Sequence, residues 1–331
     1  MNTRQRFLET LRYGQPDRFP YFDYTIREDV LACWHRQGLL PDADVESMFG
    51  LERWEIVGPH SRVELDLRAR PEFRGRLQTR DDWERLKGHY DPASPGRYPA
   101  NWADLLVSWQ QRDYPLGLIV WRGIFLPLQV GEWDTLTDLL YLFYDDPVLV
   151  EEMVTTLADF NLATLERALT EVEWDFVLFE EPVASNHAPV ISPAHYRRFC
   201  LPHLKRIAER VQAAGVDLLV ADSRGAIAPL IPVWLEAGLN TLWLGAVAAS
   251  GLDYRQMRQR HGRDVRLIGG LDWRIMNRDR AAVKREVMGV VPPLLAQGGY
   301  IPFLDGRVRT GMSFANYAYY RQLLRELAEG R

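Results

Sequence analysis

Short apolar runs recur along the chain, and each is followed by a longer stretch in which apolar residues return at helical spacing. The runs fall at 19–24, 54–58, 116–121, 175–179, 216–221, 240–245, 265–269 and 299–304. Runs such as VDLLVA and GYIPFL do not alternate with polar residues, which is the pattern of parallel strands buried on both faces. Between them, SPAHYRRFCLPHLKRIAERVQAAG reads as one long helix, with Ser192 as its cap, Pro193 in its first turn and Gly215 at its end. The opening MNTRQRFLETLRYGQ reads as an amphipathic helix capped by Thr3. Eight strand–helix units predict an α/β fold, a (β/α)8 TIM barrel formed as a single domain over 1–331. An open doubly wound sheet is the alternative, but no G-x-G-x-x-G follows the first run. The stretch 59–115, rich in Arg, Asp, Pro and Trp, reads as an elaborated loop after the second run, followed by helices, and as a candidate lid.

The chain of 331 residues has a formal net charge of −5 and no basic block. A nucleic-acid or membrane-surface role therefore has no electrostatic footprint, and the expected partner is a small molecule. Of the 40 cationic residues only Lys87, Lys205 and Lys284 are lysine. Codon bias explains that preference, so arginine abundance carries no functional weight. Cys33 and Cys200 lie far apart and belong to no C-x-x-C unit, which argues against a disulfide scaffold. The N-terminus lacks the apolar core of a signal peptide and no long apolar window occurs, so the expectation is a soluble, cytoplasmic protein. H-x-H, H-E-x-x-H and nucleophile-elbow patterns are absent, and His187 reads as a solvated loop residue.

In a TIM barrel the chemistry collects at the C-terminal ends of the strands. The candidates there are Asp23, then His60 and Arg62, then Arg122, Glu180 and Glu181, then Asp222 and Arg224, Asp272 and Arg274, and Asp305 and Arg307. Glu180 and Glu181 are adjacent, so in a strand they point to opposite faces and one of them is expected to enter the mouth. D-x-R occurs six times, at Asp66, Asp222, Asp253, Asp264, Asp272 and Asp305, against roughly two or three expected by chance. Three of the six follow predicted strands. One reading is salt bridges that tie loops together. The other is a mouth whose arginines grip an anionic substrate while carboxylates handle protons.

Several stretches together resemble a known family. TRQRFLETLRYGQPDRFPYF, DDWERLKGHYDP, LFEEPVASNHAPVISPAHYRRFCLPHLKRI, DSRGAIAPLIPVWLEAGLN, LIGGLDWRIM and GGYIPFLDGRV resemble, in that order, the uroporphyrinogen decarboxylase superfamily, which also contains corrinoid-linked methyltransferases. The resemblance implies the same barrel with its site at the strand ends. It also exposes departures. Where the zinc methyltransferases carry H-x-C-G, this chain has Asp222, Ser223, Arg224 and Gly225, and the further cysteine is replaced in the region of Asp305 and Gly306. No soft zinc site remains, although an oxygen-ligated metal at Asp222, Asp305 and Glu180 stays open. The R-Q-A-G-R-Y run of the decarboxylases is reduced to Arg27. Many relatives carry D-S-D-G, G-G-I-D-K and D-H, where this chain has Arg224 for an acid, Trp273 for a lysine and Gly306 for a histidine.

The resemblance implies a cofactor-free carboxy-lyase acting on an anionic carboxylated substrate, with tetrapyrroles among the candidates. Asp222 is then the charge-stabilising carboxylate, with Asp23, Glu180 and Asp305 as alternates. Arg122, Arg224, Arg274 and Arg307 are expected to bind substrate carboxylates, with Glu181 and Trp273 also lining the site and Trp121 and Trp243 as further flat walls. A methyltransferase partnered by a corrinoid protein and a non-catalytic ligand-binding barrel are the competing expectations, and pairing as a homodimer stays open.

Overall fold

Runs without side-chain alternation become strands where β-branched and aromatic residues bury both faces. The structure, a computed structural model, describes residues 1–330. Its strands are β1 (Glu55–Val57), β2 (Leu116–Trp121), β3 (Phe176–Glu181), β4 (Leu219–Arg224), β5 (Thr241–Gly245), β6 (Arg266–Gly269) and β7 (Tyr300–Ile301). They match seven of the eight predicted runs in order, and the fold is α/β with parallel pairing.

The chain divides into two compact units. One comprises Glu55–Arg112 and Leu116–Asn240 and holds β1 to β4, whose order follows the sequence. Every residue of β2 is buried, and the helix Pro147–Glu171 packs in this unit with a core of Leu149, Met153, Leu157 and Leu165. Asp146 starts that helix by accepting the Leu149 N–H, with Pro147 in the first turn. The other unit comprises Met1–Trp54, Asp113–Pro115 and Thr241–Arg331 and holds β5 to β7. Its core includes Phe22, Trp34, Phe303 and Tyr317.

Three local expectations are corrected. The 19–24 run is buried but is not a strand. Pro20 supplies no N–H, and the neighbouring Tyr21 N–H goes to the Glu52 carboxylate at 2.6 Å instead of to a strand. Glu52 also binds Arg6 and Arg18, so this segment is pinned by side chains. The helix expected over 192–215 is two helices, Pro193–Phe199 and Leu201–Ala213, parted at Cys200. Pro202 lacks the donor needed to continue one ladder, so it begins a second helix. At the N-terminus the helix Thr3–Leu11 is capped by Asn2, whose side chain accepts the Gln5 N–H, while Thr3 donates to Glu52.

The 59–115 stretch contains the helices Arg80–Lys87 and Trp102–Gln110. The rest is held by Arg97, which is 3% exposed and donates to the carbonyls of Asp66, Arg68, His89 and Asp91. A buried guanidinium spending its donors on carbonyls fixes a loop without regular structure.

Just beyond β4, Gly225 sits at φ 84°, and a Cβ there would lie 2.2 Å from the Ser185 carbonyl oxygen. Gly225→Ala meets both backbone strain and a backbone clash, so it is expected to destabilise the protein by about 2 kcal/mol or more. A thermal melt that leaves the midpoint unchanged contradicts this reading of the β4 exit.

Candidate functional site

Strand register assembles the site. In β3 and β4, Glu180 lies opposite Asp222 and Glu181 opposite Ser223. Between β2 and β3 the pairing shifts, from Ile119 opposite Leu178 to Trp121 opposite Phe179. The extra residue in β2 is a bulge. Continuing that register brings Arg122 abreast of Glu180, and their Nε and Oε2 atoms are 2.9 Å apart. Residues two apart in a strand share a face, so Asp222 and Arg224 face the same way as Glu180. The result is an alternating row across three strand ends: Arg122, Glu180, Asp222 and Arg224.

The row tunes its central acid. Burial first and the negative charge of Glu180 second push the Asp222 carboxyl up to about 7, against the opposing pull of Arg224. An aspartate that exchanges its proton near neutral pH suits general acid or base work. Arg224 itself is exposed.

Glu181 takes the other face, which answers the question the sequence left open. It is buried, accepts the Trp121 indole N–H at 2.7 Å, and is bonded by Tyr196, whose own hydroxyl accepts the Trp234 indole N–H at 2.9 Å. Its backbone carbonyl accepts the Ser223 hydroxyl at 2.5 Å. Burial holds its carboxyl up at about 8, against the pull of the Tyr196 and Trp121 bonds. Glu181 is therefore a neutral core acid at neutral pH, and the sequence-based expectation that it lines a substrate site is corrected: period-two alternation sends it behind the sheet.

His60 and Arg62 lie in the same unit as this row, just after β1, whereas Asp23, Asp272, Arg274, Asp305 and Arg307 lie in the other unit, where all but Arg307 are occupied by structural work. Asp23 is buried and raised by desolvation, with the Arg321 guanidinium opposing at 3.7 Å. It accepts the Tyr317 hydroxyl at 3.1 Å, so it anchors the helix Phe314–Ala328. Asp305 is raised to about 6 by burial while accepting the backbone N–H groups of Trp273, Val247 and Ala248. It clamps two loops. Arg274 does not reach out for a ligand. Its Nε and Nη2 fork onto Asp272, both at 2.9 Å, and its own N–H returns to the same carboxylate. Trp273 lies under the Arg309 guanidinium, 5.0 Å from the ring centroid. Arg307 is exposed.

Asp66–Arg68 and Asp253–Arg255 close into the same fork as Asp272–Arg274. Three of the six D-x-R tripeptides are thus local turns in which an Asp accepts the N–H two residues on, a preference built into the residue type. The Asp222–Arg224 pair differs because β4 keeps it extended.

Among the described residues no group of three or more His, Cys, Asp or Glu is arranged to hold a metal ion. Burial and the nearby Glu181 charge push the Cys200 thiol well up, so it offers no ready thiolate, and Cys33 is only partly exposed on the helix Glu28–His35. The donor set does not fit a soft zinc site.

A parallel α/β scaffold with a carboxylate–arginine row at its strand ends defines the class, and comparison narrows it. The profile described as uroporphyrinogen decarboxylase (URO-D) matches residues 126–327, and the chain belongs to that family. Among solved structures, a methyltransferase from Methanosarcina mazei aligns over 99% of this chain and 99% of its own, with a TM-score of 0.61 and 15% sequence identity. At that identity the likeness establishes the fold alone. No curated protein matches the chain. Among the described residues no helix is long and apolar enough to cross a membrane.

Carboxyls raised by burial make stability depend on pH in a fixed direction. Glu181 binds its proton more tightly folded than unfolded, so its contribution is complete below about pH 4.5 and is lost as pH rises through about 8. Glu181→Gln is expected to flatten the decline in melting temperature between pH 5 and 8, an effect on the order of a few kcal/mol. Parallel curves for the two proteins contradict the neutral assignment.

Proposed function

We propose that the chain is a cofactor-free carboxy-lyase that removes carbon dioxide from an electron-rich cyclic carboxylate, with Asp222 as the acid. The observation that carries this is the raised proton affinity of Asp222 beside the Arg122–Glu180 pair. Family membership supports an enzyme of the decarboxylase or methyltransferase superfamily.

In the proposed reaction the exposed Arg224 holds the carboxylate that will leave. The acid form of Asp222 delivers its proton to the ring carbon bearing that group. The carbon–carboxylate bond then breaks, and its electron pair returns to the ring as carbon dioxide departs. A proton has replaced the carboxylate, and Asp222 regains its own from water. Burial first and the like charge of Glu180 second keep the proton on Asp222, while Arg122 pairs with Glu180 on its other flank. This revises the expectation that Asp222 acts only by stabilising charge. Methyl transfer is the second reading, favoured by the likeness to the methyltransferase fold; capture of a corrinoid protein by this chain is its test.

Carbon dioxide release from a panel of electron-rich aromatic and pyrrole carboxylates tests the proposal. Asp222→Asn is expected to lower the rate by about 10²–10⁴-fold. For an acid, activity is full below about pH 7 and falls above it. Glu180→Gln removes a like charge and is expected to move that falling limb to lower pH, while Arg224→Ala removes an opposite charge and moves it higher. No release from any member of the panel, or a limb unmoved by both variants, contradicts the proposal.

A further inference from the structure

A cavity of about 760 Å3 lies within the unit that holds β1 to β4, walled by the 66–73 loop, the 90–95 turn and the 122–129 turn. Its walls are built rather than loose. Arg97 ties the first two segments together through backbone carbonyls, and Tyr90 donates to the Pro127 carbonyl at 2.6 Å to hold the third. His60 and Gln129, both on the lining, adopt left-handed backbone at φ 62° and 66°. Such conformations in residues with side chains persist only where the surroundings impose them, and they cluster at functional sites.

The lining combines apolar walls, including Leu67, Phe73 and Leu126, with three guanidinium groups, those of Arg68, Arg70 and Arg122. Asp66, 1% exposed, is spent on Arg68 and Arg70, which hold its carboxyl below the usual range despite burial. Glu72 is exposed. Arg122 gives Nε to Glu180, and among the described residues no protein acceptor takes its two Nη groups. Arg70 gives Nε to Asp66 and Nη1 to the Pro95 carbonyl, which leaves Nη2. Guanidinium donors that no neighbouring protein group takes, on a cavity whose lining mixes cationic and apolar side chains, call for an anion attached to a hydrocarbon body.

We propose that this cavity binds the remote part of an amphipathic di- or polycarboxylate, with Arg122 and Arg70 gripping a carboxylate and Leu67, Phe73 and Leu126 covering its ring. The proposal rests on the reading of the strand-end row as the reacting site, because Arg122 belongs to both. It makes Arg70 a specificity-determining residue: a substrate carries one carboxylate to be lost beside Asp222 and another that stays bound in the cavity.

Calorimetric titration of the intact protein with a naphthalene dicarboxylate and with its uncharged dicarboxamide tests this. The dicarboxylate is expected to bind roughly tenfold or more tightly than the amide, the gap expected of a charge-assisted bond. Arg70→Met is expected to weaken the dicarboxylate by a similar factor. Leu126→Trp, a change at a partly exposed wall that fills space without touching the arginines, is expected to weaken both compounds. Equal binding of acid and amide, no binding at all, or dicarboxylate binding unchanged in both Arg70→Met and Leu126→Trp overturns the cavity site. Binding as expected without carbon dioxide release from any carboxylate keeps the cavity and overturns the lyase reading instead.

Discussion

The arrangement of the site depends on two half-buried carboxylates set side by side in a parallel ladder. Glu180 and Asp222 face each other across β3 and β4, and water cannot fully screen the pair. A charged Asp222 pays for lost hydration and for its neighbour's field, so the proton stays on until about pH 7. Arg122 on one flank and Arg224 on the other limit that cost without removing it. The β2 bulge matters for the same reason: without its extra residue, Trp121 would stand abreast of Glu180 where Arg122 now does.

Behind the sheet, the same alternation produces a different outcome for Glu181. Its neighbours are indoles, a phenol and a thiol, so it remains neutral and acts as a hydrogen-bonded core residue. Two adjacent glutamates therefore do opposite jobs: one paired with Arg122 at the strand end, the other protonated and buried. Ser223 links them, since its hydroxyl bonds the Glu181 carbonyl from the strand that carries Asp222.

Much of this was legible in the chain before any coordinates. Unalternating runs marked seven strands in order, and the end of the run before Asp222 marked a carboxylate that the strand register sets opposite Glu180. The 19–24 run misled because apolar content does not register what Pro20 lacks, an N–H, nor that Glu52 takes the next donor. The D-x-R count misled because three of those tripeptides close on themselves as turns, and a tripeptide does not state whether its backbone is extended. Asp305 and Asp23 were found as acids, but their partners, backbone N–H groups and the Tyr317 hydroxyl, come from distant parts of the chain. The cavity beside Arg122 was invisible for a related reason: the 66–97 region lacks periodicity and is shaped by Arg97, whose role exists only once four carbonyls converge on it.

The account turns on the proton of Asp222, and its direct observation is the decisive measurement. With carboxyl-labelled aspartate, the carbon resonance of Asp222, assigned by its loss in Asp222→Asn, can be followed by NMR across pH 4 to 9. A midpoint near 7 is the predicted result, from burial beside Glu180. A midpoint near 4, that of an ordinary aspartate, contradicts the central claim and with it the acid role at the strand ends.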